Sequence, residues 1–121
     1  MADYFEVTAV EKYIHMSPRK VRLVVDMVRG MGVEEAIGLL KMTPKEAARE
    51  VEKAINSAAS NATQNYGFSR EDLFVSTIYA GEGPTLKRVK AGARGRYKPI
   101  LKRSAHITVS VAERAAKVEE K

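Results

Sequence analysis

Three stretches of the chain repeat apolar residues at helical spacing, and three more carry them at or near every second position. Phe5 to Tyr13 (FEVTAVEKY) sets β-branched and aromatic residues between polar ones, which predicts a short edge strand. Ser17-Pro18 then reads as a helix start, with Ser17 as N-cap and Pro18 in the first helical position, and Gly30 as the stop. The first helix is expected near Pro18 to Arg29. At 100° per residue Val21, Val24, Val25 and Val28 share one face, while Arg19, Arg22 and Arg29 line an adjacent one.

Val33, Ala36, Ile37 and Leu40 predict a second helix over Val33 to Lys41. Thr43-Pro44-Lys45-Glu46 has the form of a capping box with proline behind the cap, so the third and longest helix is expected to open there and end near Tyr66, before Gly67. Its apolar arc (Ala47, Ala48, Val51, Ala54, Ile55, Ala58, Ala59 and Ala62) is mostly alanine. Such a face suits close approach to a sheet or a neighbouring helix. Asp72 to Ala80 and Pro99 to Val111 return to strand spacing, and Gly81 to Lys98 between them has no apolar periodicity that could bury it.

Lengths make those last segments a hairpin. From about Leu73 to a tip near Gly92 and back to Val111, each arm has about 19 residues, or roughly 60 Å extended. A compact domain of this size is only about 35 Å across. Residues 81–98 are therefore expected to form the distal part of an arm that projects from a single domain spanning residues 1–121. The charged segment Glu113 to Lys121 is expected to fray.

Charge sharpens this picture. The chain has 21 Lys and Arg against 15 Asp and Glu. From Gly83 to Ala112 stand Lys87, Arg88, Lys90, Arg94, Arg96, Lys98, Lys102 and Arg103 with no acidic residue, a net +8, while the rest of the chain nets −2. A one-sign run of that length repels itself unless anions neutralise it, which favours a polyanionic partner. A second cluster, Arg19, Lys20 and Arg22, crowds the first turn of the first helix, where the macrodipole disfavours cations. Fold stability gives no reason for charge there; phosphate contact does, with the free N–H groups of the helix start as extra donors. Ala91, Gly92, Ala93 and Gly95 among the hairpin cations would let backbone approach a nucleic acid closely.

Other chemistry finds little to stand on. There is no cysteine, the two histidines His15 and His106 are far apart, and the aspartates are Asp3, Asp26 and Asp72, so no metal or cofactor is expected. Ser104 and His106, two apart on an expected strand, share a face but have no orienting acid, and His106 is read as a packing or RNA-contacting residue. No phosphate-binding glycine loop with its lysine is present, and no catalytic residue is expected. No apolar run reaches about 18 residues, and Met1 to Val10 lacks a signal-peptide layout, so the chain is expected in the cytoplasm and not at a membrane.

Five segments in order then carry a resemblance: Ser17 to Val24 (SPRKVRLV), Ser57 to Ala62 (SAASNA), Glu82 to Arg88 (EGPTLKR), Gly95-Arg96, and Ile100 to Val109 (ILKRSAHITV). Together they resemble the large-subunit ribosomal protein family numbered twenty-two, over roughly residues 5 to 113. The resemblance implies an α+β fold, three helices packed on a small antiparallel three-stranded sheet with a long protruding β-hairpin. It implies a monomer within the ribosome that is not an enzyme, contacts several domains of large-subunit rRNA, helps early subunit assembly and lines the nascent-peptide exit tunnel. Ribosomal protein four at the constriction and the nascent polypeptide are the implied neighbours. The residues expected to bind rRNA are Ser17, Arg19, Lys20, Arg22, Lys87, Arg88, Lys90, Arg94, Arg96, Lys98, Lys102, Arg103 and His106, and the expected tunnel tip is Arg88, Lys90, Ala91, Gly92, Ala93 and Arg94. Many family members have Pro-Arg where this chain has Ala91-Gly92, so the tip contact of that arginine does not carry over. The reading from another class is a free nucleic-acid-binding regulator with the first helix as its recognition helix. No helix-turn-helix or dimer seam supports it.

Overall fold

The alternation of the first strand holds for five residues and is then reset. In the computed structural model, which describes residues 6–91, 95 and 97–113, strand β1 runs Glu6–Ile14 and buries Val7 and Ala9. Strict alternation would turn Glu11 and then Tyr13 inward. Instead a bulge between Glu11 and Ile14 inserts one residue, so that Ile14 turns inward and Tyr13 outward. Phe5, with which the expected strand opened, lies outside the described residues.

Helix α1 (Pro18–Val28) buries all four of its valines. Gly30 takes φ 85, a conformation that disfavours a side chain, and its N–H donates to the Val75 carbonyl at 3.0 Å. Helix α2 covers Val33–Met42 and α3 covers Glu46–Tyr66. The capping box expected at Thr43 does not form. Thr43 closes α2 instead: its hydroxyl donates to the Leu39 carbonyl at 2.8 Å and its N–H to the Leu40 carbonyl at 3.2 Å. With that hydroxyl already committed, α3 starts at Glu46 behind Lys45. Its end falls where expected, at Gly67 with φ 72, whose N–H donates to the Thr63 carbonyl.

A 3-10 turn (Arg70–Asp72) leads into β2 (Leu73–Glu82), followed by β3 (Leu86–Ala91), β4 (Tyr97–Lys102) and β5 (Ala105–Glu113). Strands β1, β5 and β2 make one antiparallel sheet with β5 in the centre, and β3 and β4 make a separate two-stranded ladder. Pro99 to Val111, expected as one strand, is thus two, broken at Arg103-Ser104. The break has a cause: Ser104 leaves the ladder to accept the Gly83 N–H on its carbonyl at 3.0 Å and to donate its hydroxyl to the Pro84 carbonyl at 2.7 Å. Glu113, placed in the tail by its charge, is still paired with Leu73, and residues 114–121 lie outside the described residues.

The core lies between the sheet and the three helices. Val21, Val24, Val25 and Val28 of α1 meet Val51, Ile55 and the alanines of α3 and the inward residues Leu73, Val75, Ile78, Ile107, Val109 and Val111 of the sheet. Burying each valine contributes about 1.5–3 kcal/mol. The alanine face of α3 packs on β1, β5, α1 and α2 together, the multiple close approaches that small side chains permit.

Candidate nucleic-acid interface

Two chain crossings bring the separated cation clusters together. On one side the bulged end of β1 delivers His15, Met16 and Ser17 to the start of α1. The Ser17 carbonyl accepts from the Lys20 and Val21 N–H groups, while its hydroxyl makes no capping bond. On the other side the passage from β4 to β5 presents Lys102 and Arg103, held in place by the Gly83–Ser104 and Ser104–Pro84 bonds. Between them lies a cleft of about 590 Å³ lined by His15, Met16, Ser17, Lys20, Glu46, Lys102 and Arg103. Three exposed cations thus face one carboxylate, and among the described residues none of these three is ion-paired. Three cations against a single carboxylate leave the cleft net positive, and a positive cleft attracts phosphate.

A smaller cavity of about 220 Å³ adjoins it, lined by Tyr13, His15, Pro84, Lys102 and Ser104. Its wall is built around His106. The Tyr13 N–H donates to His106 Nδ1 at 3.1 Å, and the two rings meet edge to face with centroids 5.1 Å apart. Tyr13 is held at φ 61, a left-handed conformation that costs a side-chain-bearing residue about 1–2 kcal/mol. Gly83 closes the arrangement from behind: a Cβ there would stand 2.6 Å from Ser104 Oγ and 3.0 Å from His106 Cε1, so only glycine fits without displacing both.

The basic edge of α1 divides in two. Arg22 Nε donates to the Ala80 carbonyl at 3.0 Å, and Arg29 donates to the Ile78 carbonyl at 2.8 Å and to Asp26 at 2.8 Å. Strand β2 is an edge of its sheet, so these guanidinium groups satisfy outward-pointing carbonyls that no strand covers. The expectation that fold stability makes no demand on these cations therefore fails at Arg22. Arg19 is exposed, and no ion pair holds it among the described residues.

Of the hairpin cations, Lys87, Arg88 and Lys90 fall on β3 and Lys98 on β4, with Lys90 registered opposite Lys98 and Ala91 opposite Tyr97. Gly92, Ala93, Arg94 and Arg96 lie outside the described residues. Sequence reasoning named Ser17, Lys20, Lys102 and Arg103 in the cleft but passed over Tyr13, His15 and Glu46. Nothing local marks those three, because the bulge that turns Tyr13 outward depends on a partner strand some 90 residues away. Among the described residues no three metal-capable side chains converge, and no helix is long and apolar enough to cross a membrane.

The model of the family described as ribosomal protein L22p/L17e matches residues 9–112, a span that contains both cation clusters and every lining residue of the two cavities. The chain belongs to the ribosomal protein L22p/L17e family. It is 50% identical over 110 residues to the large ribosomal subunit protein uL22 of Clostridium novyi (strain NT), an alignment that covers 91% of this chain and 99% of that relative. Family membership accords with the five segments from which the resemblance was read. It also accords with the α+β fold of three helices on a three-stranded antiparallel sheet with an additional two-stranded ladder.

Proposed function

We propose that the chain is a structural protein of the large ribosomal subunit that binds large-subunit rRNA, takes part in early subunit assembly and works in cytoplasmic ribosomes. The observation that carries the reading is the cleft that Lys20 lines together with Lys102 and Arg103, none of them ion-paired among the described residues. Phosphates spaced along an RNA backbone match such a row, and each one neutralised releases counterions. The Ser17 hydroxyl, which makes no capping bond, adds a neutral group, and Arg19 adds a further cation beside it.

The β3–β4 ladder carries further cations along the sequence. Lys87, Arg88, Lys90 and Lys98, with Arg94, Arg96 and the small residues Ala91, Gly92 and Ala93, form the part of the chain that the family resemblance assigns to the wall of the nascent-peptide exit tunnel, near ribosomal protein four and the nascent polypeptide. The proposed role involves no catalysis, because it uses only shape and charge. Sedimentation through a sucrose gradient after a moderate salt wash tests the reading. The tagged chain is expected to stay with the large subunit. Its release into the light fractions at a salt concentration that leaves other subunit proteins bound would refute it.

A further inference from the structure

We propose that Tyr13 forms a stacking subsite for one unpaired RNA base, seated in the small cavity beside the cation cleft. The inference rests on the rRNA-binding reading and names what that surface holds besides phosphate. Tyr13 is 58% exposed, yet it is fixed in position by the bond from its N–H to His106 Nδ1 and by the edge-on contact with the His106 ring. The bulge needs a left-handed residue at this position, and glycine or asparagine would take that conformation with less strain. Tyrosine adds nothing to the core that this conformation serves, since Ile14 is the residue turned inward. What it adds is a flat aromatic face on an outward wall.

The cavity suits one base. At about 220 Å³ it is smaller than the roughly 300 Å³ at which sites for drug-sized ligands begin, which leaves room for a single heterocycle between Tyr13, Pro84 and the Lys102 stem. It shares His15 and Lys102 with the larger cleft, so a base lying on Tyr13 would have its own phosphate next to Lys102, Lys20 and Arg103. A base inside a duplex has both faces occupied by neighbours, so the occupant is a nucleotide from a loop, bulge or single strand. Stacking reads the π-face that every base has, so the subsite tolerates sequence. His106 acts as a positioning residue that sets the angle of the tyrosine ring.

The test compares two ligands of equal charge, an oligoadenylate about ten nucleotides long and an abasic ribose-phosphate oligomer of the same length, titrated against the full chain at low salt. The wild-type chain is expected to prefer oligoadenylate by about tenfold. Tyr13→Phe should keep that preference. Tyr13→Gly, which retains the left-handed backbone without strain, should bind both ligands equally at the abasic affinity while melting no lower than the wild type. A tenfold preference that survives in Tyr13→Gly would overturn the subsite and leave the rRNA reading standing. Equal affinity of the wild-type chain for both ligands would do the same, whereas binding of neither would remove the RNA reading itself.

Discussion

Arg22 and Lys20 stand two residues apart on the same helix, carry the same charge and serve opposite ends. Arg22 turns toward its own fold, where it and Arg29 satisfy the Ala80 and Ile78 carbonyls on the open edge of β2. Lys20 turns away from it, into the cleft with Lys102 and Arg103, and makes no ion pair among the described residues. The side chains differ in a way that fits the division. A guanidinium is a planar fork of donors that can hold a carbonyl at fixed angle, whereas an ammonium is a mobile point charge suited to a phosphate. A basic cluster counted along the sequence thus mixes cations that close the fold with cations that face a partner, and geometry separates them.

Neutralising the outward set should have the largest effect. Lys20→Ala, Lys102→Ala and Arg103→Ala together should weaken binding of an rRNA fragment by about a hundredfold at 0.1 M salt, and should lessen the log-log salt slope by roughly 2 to 3. The melting temperature should not fall. Filter binding across a salt series reads the first two effects and a thermal melt the third; an unchanged slope would show that these cations face solvent alone.

The crossing that carries Lys102 and Arg103 can be disturbed without touching a charge. Gly83→Ala drives a Cβ into Ser104 Oγ, and overpacking of this kind costs about 1–3 kcal/mol. Because Arg103 adjoins Ser104, RNA affinity should fall along with stability. Adding Ser104→Ala removes the clashing oxygen, so the double variant should lose less than the sum of the two single losses. Strict additivity in chemical denaturation would mean that the contact does not fix the crossing.

A smaller effect is expected for the inward set. Arg22→Ala leaves the Ala80 carbonyl to water at an exposed edge, a loss of about 1 kcal/mol, or roughly 4–8 °C for a domain near this size. Arg22→Lys keeps the charge and loses the fork. It should melt nearly as low as the alanine variant yet bind RNA like the wild type. If Arg22→Lys restored stability in full, charge and not the directed bond would be what β2 needs.

Much of this fold could be read from periodicity, because its helices bury single clean faces: the four valines of α1 and the alanine arc of α3 all lie where spacing places them. What could not be read depends on long-range partners. The start of α3 moved to Glu46 because the Thr43 hydroxyl turns back to Leu39, and a capping box cannot announce that its serine or threonine is already engaged. The strand from Pro99 split because Gly83 and Pro84, some 20 residues earlier, draw Ser104 out of line. For the candidate site, cation identity was legible and cation direction was not. Tyr13 escaped notice for the same reason, since alternation alone would have buried it.

The finest distinction falls within the outward set itself, at Arg19. It sits in the first turn of α1, at the positive end of the helix dipole, and no acidic residue accompanies it in that turn. Unlike Arg22 it makes no bond to β2, and among the described residues no ion pair holds it. Removing its charge should therefore relieve repulsion and leave no carbonyl unsatisfied. Arg19→Ala is expected to raise stability by about 0.3–1 kcal/mol, an effect that shrinks as salt screens the dipole. RNA affinity should move the other way, by about the loss of one phosphate contact. Melting curves at low and high salt decide the matter. A variant that melts several degrees lower at both would place Arg19 with Arg22 among the cations that hold the fold together, and would leave Lys20 as the one outward cation of this cluster.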